Sequence, residues 1–530
     1  MKSKYLAESY RSEILSRRRF LRQAVCAAAG TTALSNVIRD MRFMNAALAQ
    51  SVITDYKALI CVFLNGGNDA NNLIIPTIPS EWTSYAAIRN SGVANLLAIP
   101  NTDGGPATAL ALKSGANNYQ DAAGHTYGLN PAMPELQGLF NNQKNAAILL
   151  NVGSLAYPLT KAQYFANTVP KPPQLFSHSD QQAQWQTSIP DQPPTSGWAG
   201  RIADLMTAPG GNLASGVNGN PSQISMAVTL AGSNIFEVGS NNYAPQYSVS
   251  TNGVVQLSTG ITGARQTAFN SVISGDVASP DLQTSAYANV LNYAITEANT
   301  VQAALTAIGT PSYLSRFTTT VTTPNGGSTF TSSLMAQMKM VAKLIHIGKN
   351  QLGMKRQIFF VQVGGYDTHT VQTQSSATGV PSAANVIIGN QANLLAELSQ
   401  TLNAFYLAMG DMGTLLGDAQ MQSNVTAFTV SDFARTFPCN GTGSDHGWGG
   451  HHIIVGGAVK GGATYGKLPT LTVNGPDDTG TGRWIPTTSV DQYAATLATW
   501  YGVDPGYLST IFPNLGRFNS PNLGFMNPPG

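Results

Sequence analysis

Lys57-Ala-Leu-Ile-Cys-Val-Phe-Leu64 is an almost unbroken apolar run, closed abruptly by Asn65-Gly66-Gly67-Asn68-Asp69. A strand with one wet face alternates apolar and polar residues. One that is apolar throughout is buried on both faces, as in a parallel sheet covered by helices on either side. Ala146 to Val152, Gln357 to Val363 and Val425 to Val430 share this pattern, each closing on Gly, Ser or Asp. Ala286 to Ile308, Ser332 to Leu352 and Asn390 to Leu416 have the apolar spacing of helices, and Ser489 to Tyr501 reads as a shorter helix begun by a serine cap. Strands alternating with helices predict an α/β sheet with crossover connections. In such sheets chemistry collects in the loops at the carboxyl ends of the strands.

The 530 residues are 42% hydrophobic, enough for one large domain or a few ordinary ones. Only 10% are charged, and Ser, Thr, Asn, Gln and 53 glycines carry the polarity instead. Charge-driven disorder and a polybasic nucleic-acid binder are both excluded. No apolar run reaches about 18 residues, so no stable membrane span is expected. Between Asn212 and Pro280 the composition turns to Gly, Ser, Asn and Thr with short apolar alternations, which predicts an inserted β-rich excursion or cap. Thr318 to Thr331 reads as a polar loop. No repeat of 20 to 50 residues, the period of solenoids and propellers, runs along the chain.

Charge is unevenly placed. Residues 1–49 hold nine Lys/Arg and three Asp/Glu, leaving 19 basic and 23 acidic residues in the rest, a net of −4. Ser16-Arg17-Arg18-Arg19-Phe20-Leu21-Arg22 matches the twin-arginine export pattern. A weakly hydrophobic stretch from Ala24 to Val37 follows it, and Ala47-Leu48-Ala49 offers a cleavage site. An uncleaved anchor or a cut nearer Ala33 stays open, because Arg39, Asp40 and Arg42 interrupt the approach to Ala49. The expectation is a signal peptide over 1–49, a translocase as partner during export, and a periplasmic or secreted body over 50–530. Cut there, the chain keeps only Cys61 and Cys439, so at most one disulfide forms and a cysteine-ligated metal site is excluded.

Three of the seven histidines fall in Ser444-Asp445-His446-Gly447-Trp448-Gly449-Gly450-His451-His452. His369 lies in Gly365-Tyr366-Asp367-Thr368-His369, directly after a predicted strand. Asp69 and Asp432 occupy the same kind of position after two others. A lone aspartate there is an ordinary turn or cap residue. Carboxylates and imidazoles gathered at several strand ends are instead what a divalent metal requires, and the imidazoles suit zinc or manganese. His346, in a Met-rich helix, reads as packing, and His125 lies in a polar loop.

Leu64–Asp69, Gly365–His369, Ser431-Asp-Phe-Ala-Arg-Thr436, Asp445–His452 and Gly456-Gly-Ala-Val-Lys-Gly-Gly462 together resemble the bacterial domain of unknown function 1501. That family is exported by the twin-arginine route and placed in the alkaline-phosphatase/sulfatase-like superfamily. The resemblance runs from about Lys57 to Gly524. It implies a doubly wound, mostly parallel sheet flanked by helices and a hydrolase of phosphate or sulfate esters using one or two metal ions. Residue by residue, the ligands it implies are Asp69, Asp367, His369, Asp445, His446 and His451 or His452. Arg435, with Asp432, would support the site or bind an oxyanion. The sulfatase signature Cys/Ser-x-Pro-x-Arg is absent, which argues against a formylglycine enzyme. The superfamily's nucleophile is a Ser or Thr at a helix start. Ser177 with His178 is the local candidate, although Ser179 with Gln182 also makes a passable capping box. The alternative is a non-catalytic extracellular binding protein that retains the fold. A metal-independent esterase is disfavoured, because no G-x-S-x-G elbow is present.

Overall fold

The computed structural model describes residues 52–91, 97–101, 108–208, 211–213, 224–241, 243–254, 256, 261–324, 328–373 and 389–528. The expected signal peptide over 1–49 lies outside them. The main sheet has nine strands: β1 (Lys57–Leu64), β2 (Ala146–Gly153), β3 (Ala227–Thr229), β4 (Tyr247–Ser248), β5 (Arg356–Val363), β6 (Val425–Ser431), β7 (Gly450–Gly456), β8 (Ala463–Gly466) and β9 (Thr488–Ser489). The helices of ten residues or more among the described residues are α1 (Pro79–Arg89), α2 (His178–Thr187), α3 (Trp198–Thr207), α4 (Ala264–Val277), α5 (Leu282–Ile308), α6 (Ser333–Asn350), α7 (Asn390–Leu416) and α8 (Val490–Tyr501).

The strand order is β8-β2-β7-β6-β1-β5-β3-β4, with β9 beside β2. β1 runs parallel to β5 on one side and to β6 on the other. Its side chains alternate between two cores, as a strand buried on both faces must. Ala58, Ile60, Val62 and Leu64 pack with Met338 and Val341 of α6 and Leu395 and Leu398 of α7. Leu59, Cys61 and Phe63 pack with Ile202 and Leu205 of α3 and Ala494 and Leu497 of α8. Each such buried aliphatic or aromatic side chain stabilises the fold by about 1.5–3 kcal/mol. Capping sets the helix starts. The Ser332 side chain accepts from the Met335 amide, and Ser489 forms a reciprocal capping box with Gln492.

Three features differ from expectation. β7 is an additional strand, and it is antiparallel to both β6 and β2. Among the described residues of 212–280, the short strands belong to the main sheet. The apolar stretch Ala227–Thr229 pairs in parallel with β5 and Tyr247–Ser248 pairs with it, extending the main sheet, and the segment then runs into α4. Thr318 to Thr331 contains a short hairpin, with Thr320–Thr322 antiparallel to Thr329–Thr331.

Candidate metal centre

β1, β5 and β6 lie side by side and parallel, so the loops after Leu64, Val363 and Ser431 open at one end of the sheet. They approach too closely for ordinary side chains. Gly66 sits at φ +118°, and a Cβ there would stand 2.4 Å from the Asp367 amide nitrogen. A Cβ on Gly443 would stand 2.2 Å from the Thr368 carbonyl oxygen. These glycines let the loops bearing Asp367, His369 and Asp445 close on one another.

Three imidazoles converge through their Nε2 atoms. His446 Nε2 lies 3.1 Å from His178 Nε2 and 2.9 Å from His369 Nε2. The Asp367 carboxylate stands 3.2 Å from His369 Nε2, 3.5 Å from His446 Nε2 and 3.6 Å from His178 Nε2. One ligand atom from each of His178, Asp367 and His446 fits within 4.8 Å of the others.

The opposite ring nitrogens are all occupied. His446 Nδ1 donates to the Phe176 carbonyl at 2.8 Å, His178 Nδ1 to Asp432 at 2.6 Å, and His369 Nδ1 to Asp445 at 3.1 Å. A neutral imidazole that donates through Nδ1 carries its lone pair on Nε2. Second partners of this kind, a carboxylate or a backbone carbonyl behind each ring, orient metal-ligating histidines.

Behind the rings the supports are themselves held. Asp432 is fully buried and accepts from the Gly66 amide and, at 3.0 Å, from Gln182 Nε2. Arg435 is fully buried and donates to Asp367 at 2.6 Å, to the Gly66 carbonyl and to the Ser444 carbonyl. Burial raises the Asp367 carboxyl, but the bond and charge of Arg435 outweigh it and hold the group below the usual carboxylate range. The bond from His178 to Asp432 raises the imidazole above its ordinary value despite desolvation. Burial lowers His446.

Four residues named from sequence as ligands therefore fall into place differently. Asp445 backs His369 and is held by Asn440 at 2.9 Å. Asp69 is buried in an ion pair with Arg89 of α1 and also accepts from Gln372 Nε2 and the Asn71 amide. It is spent on a guanidinium and shares no bond with the imidazoles among the described residues. His451 and His452 are consecutive on β7 and so face opposite sides of the sheet. His451 Nδ1 accepts from the Asn151 amide at 3.1 Å, and the His452 ring packs 4.7 Å from Trp185. Burial pushes the two down to about 4 and about 3, so both are neutral core residues.

Ser177 precedes α2, and its hydroxyl donates to Asp180 at 2.6 Å. His178, grouped with Ser177 by sequence, instead presents its ring to the cluster. A histidine in the first turn of a helix that follows an extended, Pro-containing segment was the available signal. The Asp432 partner behind it, 254 residues away, was not legible.

The fold and site together define an α/β protein with a His/Asp cluster at the carboxyl ends of a mostly parallel sheet. Residues 347–508 match the family described as Protein of unknown function (DUF1501). The matched span contains Asp367, His369, Asp432, Arg435, Asp445 and His446. No curated protein matches the chain. A solved structure titled "Crystal structure of Ps i-CgsB in complex with k-i-k-neocarrahexaose" is similar at 10% identity and a TM-score of 0.28, over 90% of this chain and 75% of that one. A likeness that slight carries no argument. No helix among the described residues is long and apolar enough to cross a membrane.

Proposed function

We propose that the chain is an exported, metal-dependent hydrolase of phosphate or sulfate esters, on a sheet of alkaline-phosphatase-like character. The observation that carries this is the convergence of three Nε2 atoms whose Nδ1 partners all set the same tautomer. Lone pairs aimed at one another repel, and a cation relieves that repulsion. His178, His369, His446 and Asp367 would hold it, a nitrogen-rich set suited to zinc or manganese. When bound, such an ion polarises an ester oxygen and favours attack by water.

This chain's own residues do the rest. Asp432, Asp445 and the Phe176 carbonyl fix the three rings. Arg435 holds the Asp367 carboxylate ionised and in place. The first-turn amides of α2, beside His178, offer donors to an anionic group. With its hydroxyl bonded to Asp180, Ser177 is not poised as a nucleophile, which favours water in that role. The same bond supports a second reading, a binding protein that keeps the site without turnover.

Elemental analysis of chain purified without chelators, together with hydrolysis of activated aryl phosphate and sulfate, tests the proposal. Stoichiometric zinc or manganese and chelator-sensitive hydrolysis are expected. Background metal with no chelator effect would overturn it. Metal without hydrolysis of either ester would favour the binding protein.

A further inference from the structure

Beyond the histidine cluster runs a second pattern, a row of cations laid over aromatic rings. Arg483 donates through Nε to the His446 carbonyl at 2.7 Å, and its guanidinium lies 4.3 Å from the Phe176 ring centroid. Phe176 and Tyr164, both partly buried, pack against the small core that contains Trp448. Lys171 lies 4.3 Å over Tyr164, and Lys161 lies 6.0 Å from the ring of Phe165, which is 61% exposed. The Tyr164 and Phe165 rings meet edge to face at 5.2 Å. The row thus begins at a residue of the metal cluster and continues outward over contiguous side chains.

None of these three cations has a carboxylate partner within ion-pair distance among the described residues. Lys161 donates to the carbonyls of Asn474 and Gly475, and Lys171 to that of Tyr164. The nearby carboxylates of Asp477 and Asp478 are turned onto the amides of Thr470, Asn474 and Arg483. In a chain whose residues beyond 49 carry a net of −4, three uncompensated cations in one place are a local feature. They attract anions toward the cluster.

We propose that this rim binds the substrate of the metal site, and that the substrate is a polyanionic carbohydrate, an ester whose neighbouring sugars carry further anionic groups. The proposal rests on the hydrolase reading above. Aromatic faces such as that of Phe165 suit the apolar faces of sugar rings, and Arg483 and Lys171 suit their sulfate or phosphate groups through charge-assisted bonds. Three cations are too few to hold a nucleic-acid backbone, whose binding rests on many phosphate contacts.

Isothermal titration of the zinc-loaded full chain with sucrose octasulfate and with a monosulfated glucose tests this. The octasulfate is expected to bind at least about tenfold more tightly, the range of one or two charge-assisted bonds. Lys171→Gln and Arg483→Gln should each lower that preference severalfold, and together bring it close to parity, with zinc content unchanged. Arg483→Lys, which keeps the charge, should retain most of it, and Lys171→Gln alone serves if the Arg483→Gln chain does not fold. Equal affinity for the two sugars, or a preference intact in the double variant, would overturn the proposal. So would an oligothymidylate that binds as tightly as the octasulfate, because the rim would then be a general polyanion site. A rim-dependent preference in a protein that carries no metal would support the carbohydrate surface while removing the hydrolase reading.

Discussion

The Asp432 carboxylate meets His178 Nδ1 at 2.6 Å, joining the end of β6 to the first turn of α2 across 254 residues. Asp432 is fully buried, and it fixes which nitrogen of His178 faces the cluster. Asp432→Asn keeps the shape but removes the charge behind the ring. Partners of this kind are worth about 10–100-fold in metal affinity. Competition titration with zinc should show a loss in that range, and unchanged affinity would remove Asp432 from the site.

Asp69 and Arg89 are both fully buried, so removing one leaves the other without its charge partner. Asp69→Asn is expected to cost about 3–5 kcal/mol of stability while leaving metal stoichiometry as it was. Denaturant unfolding and elemental analysis measure the two separately. Metal lost at unchanged stability would restore Asp69 as a ligand. The expected coupling is indirect, because Gln372 links Asp69 to Ser444, the residue before Asp445 and His446.

How much of this the sequence revealed depends on how local each signal is. The apolar runs marked β1, β2, β5 and β6 because burial on both faces imprints every residue of a strand. The Asn390–Leu416 helix was legible to its ends from the spacing of its apolar residues, such as Leu395, Leu398 and Leu402, which pack on the sheet. Asp367, His369 and His446 stood out because glycines and strand ends flank them. Asp69 carries an equally good local signature, yet Arg89 reaches it from α1, and nothing near Asp69 in sequence announces a buried guanidinium. His451 and His452 looked like ligands by proximity to His446. Only the strand assignment of Gly450–Gly456, masked by its two histidines, reveals that they turn into the sheet.

Glu237 gives the protein a pH dependence away from the site. Its carboxyl is fully buried, and desolvation raises it from 4.5 to about 8 in spite of bonds from Asn234 and Gln246. The folded state therefore keeps a proton that the unfolded chain releases. This contribution to stability is complete below the unfolded value and is lost as pH rises through about 8. The slope is up to about 1.4 kcal/mol per pH unit for one proton. Glu237→Gln should flatten the fall in unfolding midpoint between about pH 5 and pH 8. An identical profile in the variant would show that another group sets it.

Ser177→Ala should leave metal content unchanged and hydrolysis within a few-fold, because the hydroxyl is bonded to Asp180 and not to the cluster. Abolished hydrolysis at full metal content would reinstate the serine as nucleophile.

Replacing Arg17 and Arg18 by Lys should hold the precursor in the cytoplasm, because the arginine pair is read as an address and not as charge alone. Fractionation with immunoblotting checks this, and undiminished export of the double variant would exclude the twin-arginine route.

The central position of β1 bears on when this chain can fold. Among the described residues its sheet neighbours are β5 and β6, and even the Tyr56 hydroxyl just before it bonds to Gln357, 301 residues away. A nascent chain that ends before Arg356 offers β1 neither partner, so the apolar stretch waits exposed while most of the protein is made. Contacts this distant in sequence make folding slow and late, and they keep synthesis and folding from proceeding domain by domain. On the export reading proposed above, such a chain gains from finishing its fold before it is moved.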